Sequence, residues 1–299
     1  MTKKTADLIN TWLESRLTAE QIGWFNGQLK KISQSNSDRE LHITLGLVPR
    51  RLGRDDLSLT ASELAEAADR LQGWNPNGWS IDIAARVAVM CHLATLREEQ
   101  FGETITDLCR NADLAESIAL YSGVSHYPQS DMLDQQIGEG LRTNMRSVFE
   151  AIAHQNPYPA AHFDENRWNH MVLKALFIDS TLAPIYGLDE RANAELARIL
   201  CDYANERWAA GRDVTHELWR CVGPFASGDM IDDLQRASRS NNNIEKSAAL
   251  LALSVCPDPR AAKILSVHET LAERISKGSL TWDALLRQQD QQEQSGNAL

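Results

Sequence analysis

A chain of 299 residues has room for one large domain or two ordinary ones, and its composition favours helices. Alanine (35) and leucine (36) far outnumber the β-branched valine (10) and isoleucine (17), and helix propensity ranks these residues the same way. At 43% hydrophobic and 24% charged the chain can bury a sizeable core, which excludes disorder; at 30 basic against 41 acidic residues, net charge -11, it lacks the cationic excess that nucleic acid or an anionic membrane surface demands.

In chain order, Leu8, Ile9, Trp12 and Leu13 form one apolar stripe, and Ile22, Phe25, Leu29 and Ile32 the next, both at helical spacing. Thr18 with Gln21, and Thr60 with Glu63, have the spacing of capping boxes that open helices. Ser80 begins a helix with Ile83, Ala84, Val87, Ala88 and Cys91 on its core side, punctuated by Gly102. Two short helical stretches are expected between Glu103 and Tyr121, and from Asp131 one longer helix carries Met132, Ile137, Leu141, Met145, Val148 and Ile152. The segment His154 to Phe163, with Pro157 and Pro159, is the clearest break in periodicity. Beyond it the patterns predict helices at Glu165–Ile178, Asp189–Ala210, Thr215–Val222, Asp229–Ser238, Ile244–Val255 and Pro259–Ser276.

The expected fold is therefore all-α with no significant sheet. The alanine-rich helix 244–255, the turn Cys256-Pro257-Asp258-Pro259 and the helix opening at Arg260 resemble the paired-helix unit of a HEAT-like α-α solenoid, so a right-handed superhelix is expected. Residues 1–290 are read as one superhelical domain, with a sub-division near 154–163 left open, and residues 291–299, rich in glutamine, serine and asparagine, as a disordered tail. The first ten residues lack the apolar run of a signal peptide, and no stretch has the length and apolarity of a membrane span, so a cytoplasmic location is expected. Five widely spaced cysteines without a C-x-x-C pair read as buried, reduced thiols.

The common catalytic signatures are missing from the sequence. Gly123-Val124-Ser125-His126-Tyr127 begins like a nucleophile elbow but lacks its last glycine, and His154, His162 and His170 recur at eight, which no helical metal site uses. Asp232-Asp233 is followed by Arg236 where a diphosphate-binding helix would place a third carboxylate. No metal and no cofactor is expected. The polar residues that stand out are those on apolar stripes. Arg167, His170 and Lys174 run along an otherwise apolar helix, as a solvated side or as the wall of a cleft. Arg191, Glu195, Arg198, Asp202 and Glu206 read as a salt-bridged, solvated face. Asn193 and Arg207 lie at the two ends of the stripe Leu196, Leu200 and Tyr203, and Trp208, Arg212, Trp219 and Arg220 bracket the following turn with the composition of interaction hot spots.

The strings Asn169-His170-Met171-Val172-Leu173-Lys174-Ala175-Leu176-Phe177, Gly187-Leu188-Asp189-Glu190-Arg191-Ala192-Asn193, Tyr203-Ala204-Asn205-Glu206-Arg207-Trp208 and Leu218-Trp219-Arg220-Cys221-Val222-Gly223-Pro224-Phe225 resemble the EboA family. So do Val48-Pro49-Arg50-Arg51-Leu52-Gly53 and Trp79-Ser80-Ile81-Asp82-Ile83-Ala84-Ala85-Arg86, and the resemblance spans most of Thr18 to Ser266. It implies membership of a bacterial and algal gene cluster associated with trafficking of secondary metabolites or their precursors, and it brings no reaction.

Two readings follow. The first is a non-catalytic helical-repeat protein that binds an apolar aromatic metabolite, or other proteins of the same gene cluster, through His170, Lys174, Glu190, Asn193, Arg207, Trp208, Arg212, Trp219 and Arg220. The alternative is an enzyme of the same pathway with its active site around Lys174, His170 and Arg207, joined by Glu190, Asn193 and Arg220. Of the eight tryptophans, Trp168, Trp208 and Trp219 fall in the region that carries the resemblance.

Overall fold

The structure, a computed structural model, describes residues 2–35 and 37–296. Among the described residues it is all-α, with eighteen α-helices, three 3-10 turns and no strand; only two isolated bridges, Asp56 to Ser80 and His154 to Ile185, have β character. The contacts divide the chain into two compact units, Met1–Asp164 with Pro184–Tyr186, and Glu165–Ala183 with Gly187–Leu299.

The first unit holds α1 (Thr2–Glu14), α2 (Ala19–Gln34), α3 (Arg39–Leu52), α4 (Ala61–Arg70), α5 (Ile81–Leu96), α6 (Phe101–Asn111), α7 (Leu114–Ser122), α8 (Asp131–Arg142), α9 (Arg146–Ala153) and α10 (Tyr158–His162). Both capping boxes form: Thr18 and Gln21 close the start of α2, and Thr60 and Glu63 that of α4. The core centres on α5, which packs against α1, α2, α3 and α7 and buries Val87, Ala88, Val89, Met90, Cys91 and Leu93 on all sides. A helix whose apolar residues run round its whole circumference must be enclosed, and α5 is enclosed from Ile81 to Ala94 save for the half-buried Ile83 and His92. It ends at Leu96, so Gly102 lies inside α6 and not at its end.

One charged pair is buried within that core. Arg86 bonds Asp82 at 2.9 Å and donates from Nε to the Leu45 carbonyl at 3.1 Å, while the Ser80 hydroxyl donates to Asp82 at 2.6 Å. Trp74 sits nearby in an aromatic cluster, with ring centroids 5.6 Å from Trp12, 6.0 Å from Trp79 and 4.2 Å, edge to face, from His126. The single helix expected from Asp131 is two. Thr143 Oγ1 accepts the Met145 N–H at 3.2 Å, a local side-chain bond that competes with the helical ladder and breaks it there.

The second unit holds α11 (Glu165–Phe177), α12 (Ala194–Ala209), α13 (Trp219–Val222), α14 (Met230–Ser238), α15 (Asn243–Ser254), α16 (Pro259–Leu265), α17 (Glu269–Ser276) and α18 (Trp282–Gly296). Its enclosed helix is α15, which packs against α13, α14, α16, α17 and α18. Gly223 allows the close approach: a Cβ there would lie 2.6 Å from the Ala252 carbonyl oxygen. The helix expected over Pro259–Ser276 is again two, because Ser266 turns its hydroxyl back to the Lys263 carbonyl at 2.8 Å and the chain leaves the helix at Val267. Within the expected tail, α18 continues to Gly296, and residues 297–299 lie outside the described residues. Among the described residues no helix is long and apolar enough to cross a membrane.

Candidate functional site

The nine residues singled out in the sequence all belong to the second unit. Helix α12 starts later than its pattern suggests. Asn193 is its N-cap and accepts the Leu196 N–H at 2.8 Å, so Asp189 to Ala192 form a turn before the helix. The Asn193 amide also pairs reciprocally with Asn169 of α11, at 2.9 and 3.2 Å. Asn193 thus uses its polar atoms to fix α12 against α11. The displaced turn takes Arg191 off the expected charged face, and its guanidinium lies 4.7 Å from the ring centroid of Trp168, which is fully buried. On that face Arg198 bridges Glu195 and Asp202 at 2.7 and 2.5 Å.

Arg220 and Asp189 form a two-pronged ion pair, both bonds 2.5 Å, in which the guanidinium is half-buried. Beside it Glu217, 5% exposed, accepts the N–H groups of Leu182 and Ala183 on one carboxylate oxygen at 2.5 and 2.8 Å. Burial raises this carboxyl above the usual carboxylate range against the pull of those two N–H groups. Burial also lowers the neighbouring His216 ring, whose Nε2 has no hydrogen-bond partner. His216, Glu217, Arg220 and Trp282 line a cavity of about 10 Å³, the size of one water, which is too small for a metabolite.

The other candidates lie apart from this pair. His170 is exposed, with Nδ1 2.8 Å from the Asn166 carbonyl one turn back, and Glu190 is exposed. Lys174 is half-buried, and burial lowers its ammonium below the usual lysine range. Arg207 donates to the Asp213 carbonyl at 2.9 Å and sits 6.0 Å from the Tyr203 ring, so its guanidinium is held at the C-terminal end of α12. Of the thiols, Cys91, Cys201 and Cys221 are buried while Cys109 and Cys256 are half-buried; burial alone pushes Cys91 up to about 12. Among the described residues no group of three His, Cys, Asp or Glu side chains is placed to hold a metal ion.

Two of the nine candidates do meet. The indoles of Trp208 and Trp219 stack with centroids 5.7 Å apart and planes 28° from parallel. Trp219 is fully buried, and Trp208 is half-buried with the Arg236 guanidinium 4.1 Å from its ring centroid. Where α12 ends, Gly211 is left-handed at φ 67°, and the Gly211 and Arg212 N–H groups return to the Trp208 and Arg207 carbonyls at 3.1 and 2.9 Å. That turn leaves Arg212 exposed beside the half-buried Arg207 and Trp208, so the end of α12 presents arginines around a stacked indole pair.

In the sequence Arg236 stands where a carboxylate motif would need an acid; its partner Trp208 lies on another helix, a pairing with no local sequence signal. Asp189, Asn169 and Glu217 likewise bond residues 24 to 35 positions away, beyond the reach of periodicity along one helix.

The family model described as metabolite traffic protein EboA matches residues 5–223, well over half of the chain. No curated protein and no solved structure matches it.

Proposed function

Since the chain belongs to the EboA family of metabolite traffic proteins, we propose that it is a non-catalytic cytoplasmic protein supporting the movement of a secondary metabolite or its precursor, by binding that metabolite or a partner protein of the same pathway. The observation that supports a binding role best is the stack of Arg236, Trp208 and Trp219 at the end of α12. Tryptophan and arginine dominate interaction hot spots because they desolvate large areas with little loss of conformational freedom. Around the half-buried Trp208, the exposed Arg212 supplies a charged rim. The chain-order packing of α14, α15 and α16 supports a HEAT-like reading of the C-terminal helices.

The test is recovery of pathway proteins by the tagged full chain from its native host, compared with the Arg212→Glu and Trp208→Ala variants, alongside melting curves with aromatic metabolites. The expected result is that the wild type captures such a protein or is stabilised by such a metabolite, and that Arg212→Glu weakens the effect without lowering the melting temperature. Equal capture by all three chains, with no metabolite shifting the wild type, would overturn the reading.

A further inference from the structure

We propose that the groove between α14 and α16 binds an anionic amphiphile, a phosphate monoester or carboxylate carried on a short apolar chain. The groove has a volume of about 290 Å³, close to the lower end of small-molecule sites, which run from roughly 300 to 1,000 Å³. Its floor is apolar: Ile231 of α14 and Ile264 of α16 are buried, and Val267 stands 78% exposed at its margin. A valine left that open gains little from the protein's own core, and an apolar chain laid across it would remove its surface from water.

The rim is cationic. Arg239, Arg260 and Lys263 line the groove against a single acid, Asp232, in a chain whose net charge is -11. The three cations differ in what they already bind. Arg260 is committed, bonding Asp258 at 2.9 Å and donating to the Gly228 carbonyl at 2.8 Å. Arg239 and Lys263 are exposed, and among the described residues neither the Arg239 guanidinium nor the Lys263 ammonium has a hydrogen-bond or ion-pair partner; only their backbone groups are bonded. A cation near the last turn of a helix is ordinarily explained by the helix dipole, and Arg239 follows α14 while Lys263 lies near the end of α16. The dipole explains one cation per helix. It does not explain why the two should come together over an apolar floor. An oxyanion head group placed between them would gain two charge-assisted hydrogen bonds while its chain covers Ile264 and Val267.

The groove lies beyond residues 5–223, so the family match does not extend to it. It deepens the traffic reading by naming a class of cargo, and rests on that reading only in calling the ligand cargo. Isothermal titration of the full chain with octyl phosphate and octanoate tests the site, with inorganic phosphate and octanol as half-ligands. One-to-one binding of an acid amphiphile is expected, with each half-ligand weaker by roughly tenfold or more. The double variant Arg239→Glu/Lys263→Glu should also weaken binding roughly tenfold, two exposed ion pairs being replaced by two repulsions. Val267→Ser, a neutral change at an exposed position, should weaken octyl phosphate and leave inorganic phosphate unchanged.

No saturable binding, unchanged affinity in the charge-reversed chain, or inorganic phosphate binding as well as octyl phosphate would each overturn the proposal. Co-sedimentation with phosphatidylglycerol-containing vesicles without binding of the monomeric amphiphiles would overturn it in favour of a lipid surface. Titration can fail while capture through Trp208 and Arg212 succeeds, and the reverse, so the two readings fall separately.

Discussion

Acidification from pH 7 to pH 5 should destabilise the first unit chiefly through His126, the most deeply buried of its histidines, with His92 lowered in the same direction by burial. Its ring is 2% exposed, packed edge-on against Trp74, with Thr5 Oγ1 3.4 Å from Nδ1 and no hydrogen-bond partner for Nε2. Burial, reinforced by the positive charge of Arg70, lowers its pKa to about 3. In the unfolded chain the same ring takes up a proton below about pH 6.5. Between those values the unfolded state binds more protons than the native one, so stability falls as the pH falls. At about 1.4 kcal/mol for each pH step, over the roughly 1.5 steps between 6.5 and 5, the loss from His126 is about 2 kcal/mol. Urea unfolding at both pH values, on the wild type and His126→Phe, isolates it: phenylalanine keeps the edge-on contact with Trp74 and cannot be protonated. Groups such as Glu63, held down to about 2 by its paired bonds with Arg16, titrate alike in both chains and cancel. The wild type should lose about 2 kcal/mol more than the variant on acidification. Equal losses would mean that the native ring is protonated in place, and the argument from burial would fail.

Three further outcomes are expected. Asp82→Ala leaves the buried Arg86 guanidinium with only the Leu45 carbonyl and the more distant Glu116 carboxylate, 3.8 Å away, and chemical denaturation should show a loss of about 3 kcal/mol. Asn193→Ala removes both the cap of α12 and the partner of the Asn169 amide, so its melting curve should reflect a loss of about 1–3 kcal/mol, with the helix content otherwise retained. Gly223→Ala puts a methyl group 2.6 Å from backbone of α15, which has no side-chain freedom with which to yield; a destabilisation of about 1–3 kcal/mol in thermal or urea unfolding is expected, whereas Gly27→Ala, with open space around its Cβ, should be neutral or stabilising.

What was legible in the sequence is what local chemistry decides. Thr18 with Gln21 and Thr60 with Glu63 announce helix starts because both halves of a capping box lie within four residues, and the core-side residues Ala84, Val87, Ala88 and Cys91 of α5 are buried as their spacing predicts. The misplaced boundaries share a cause. Thr143, Asn193 and Ser266 each turn a side chain back onto nearby backbone, and whether such a residue interrupts a helix depends on what its backbone finds instead. The candidate site was legible as a set of names but not as pairs. Arg220 with Asp189 spans 31 residues and Asn169 with Asn193 spans 24, separations that periodicity along one helix does not reach.

That failure has a physical direction. A polar residue on an apolar stripe is conspicuous because burial would leave it unsatisfied, and a stable fold meets the same requirement by giving it a partner. The criterion therefore selects side chains already in use: Asn193 bonds Asn169, Arg220 bonds Asp189 and Arg207 bonds the Asp213 carbonyl. A group kept for a ligand should instead look ordinary in sequence, a cation at a helix end such as Arg239 or Lys263, and become distinctive only when the fold sets it over an apolar floor. Trp208 lies between the two cases. Arg236 sits over its ring, so a ligand seeking that aromatic surface must first displace the guanidinium and give up a cation–π contact of roughly 0.5–2 kcal/mol. An acidic group on the incoming molecule would offset that loss by pairing with Arg236 as it moves aside. A neutral aromatic ring would not, so an indole surface held in this way selects for partners that carry negative charge beside their apolar part.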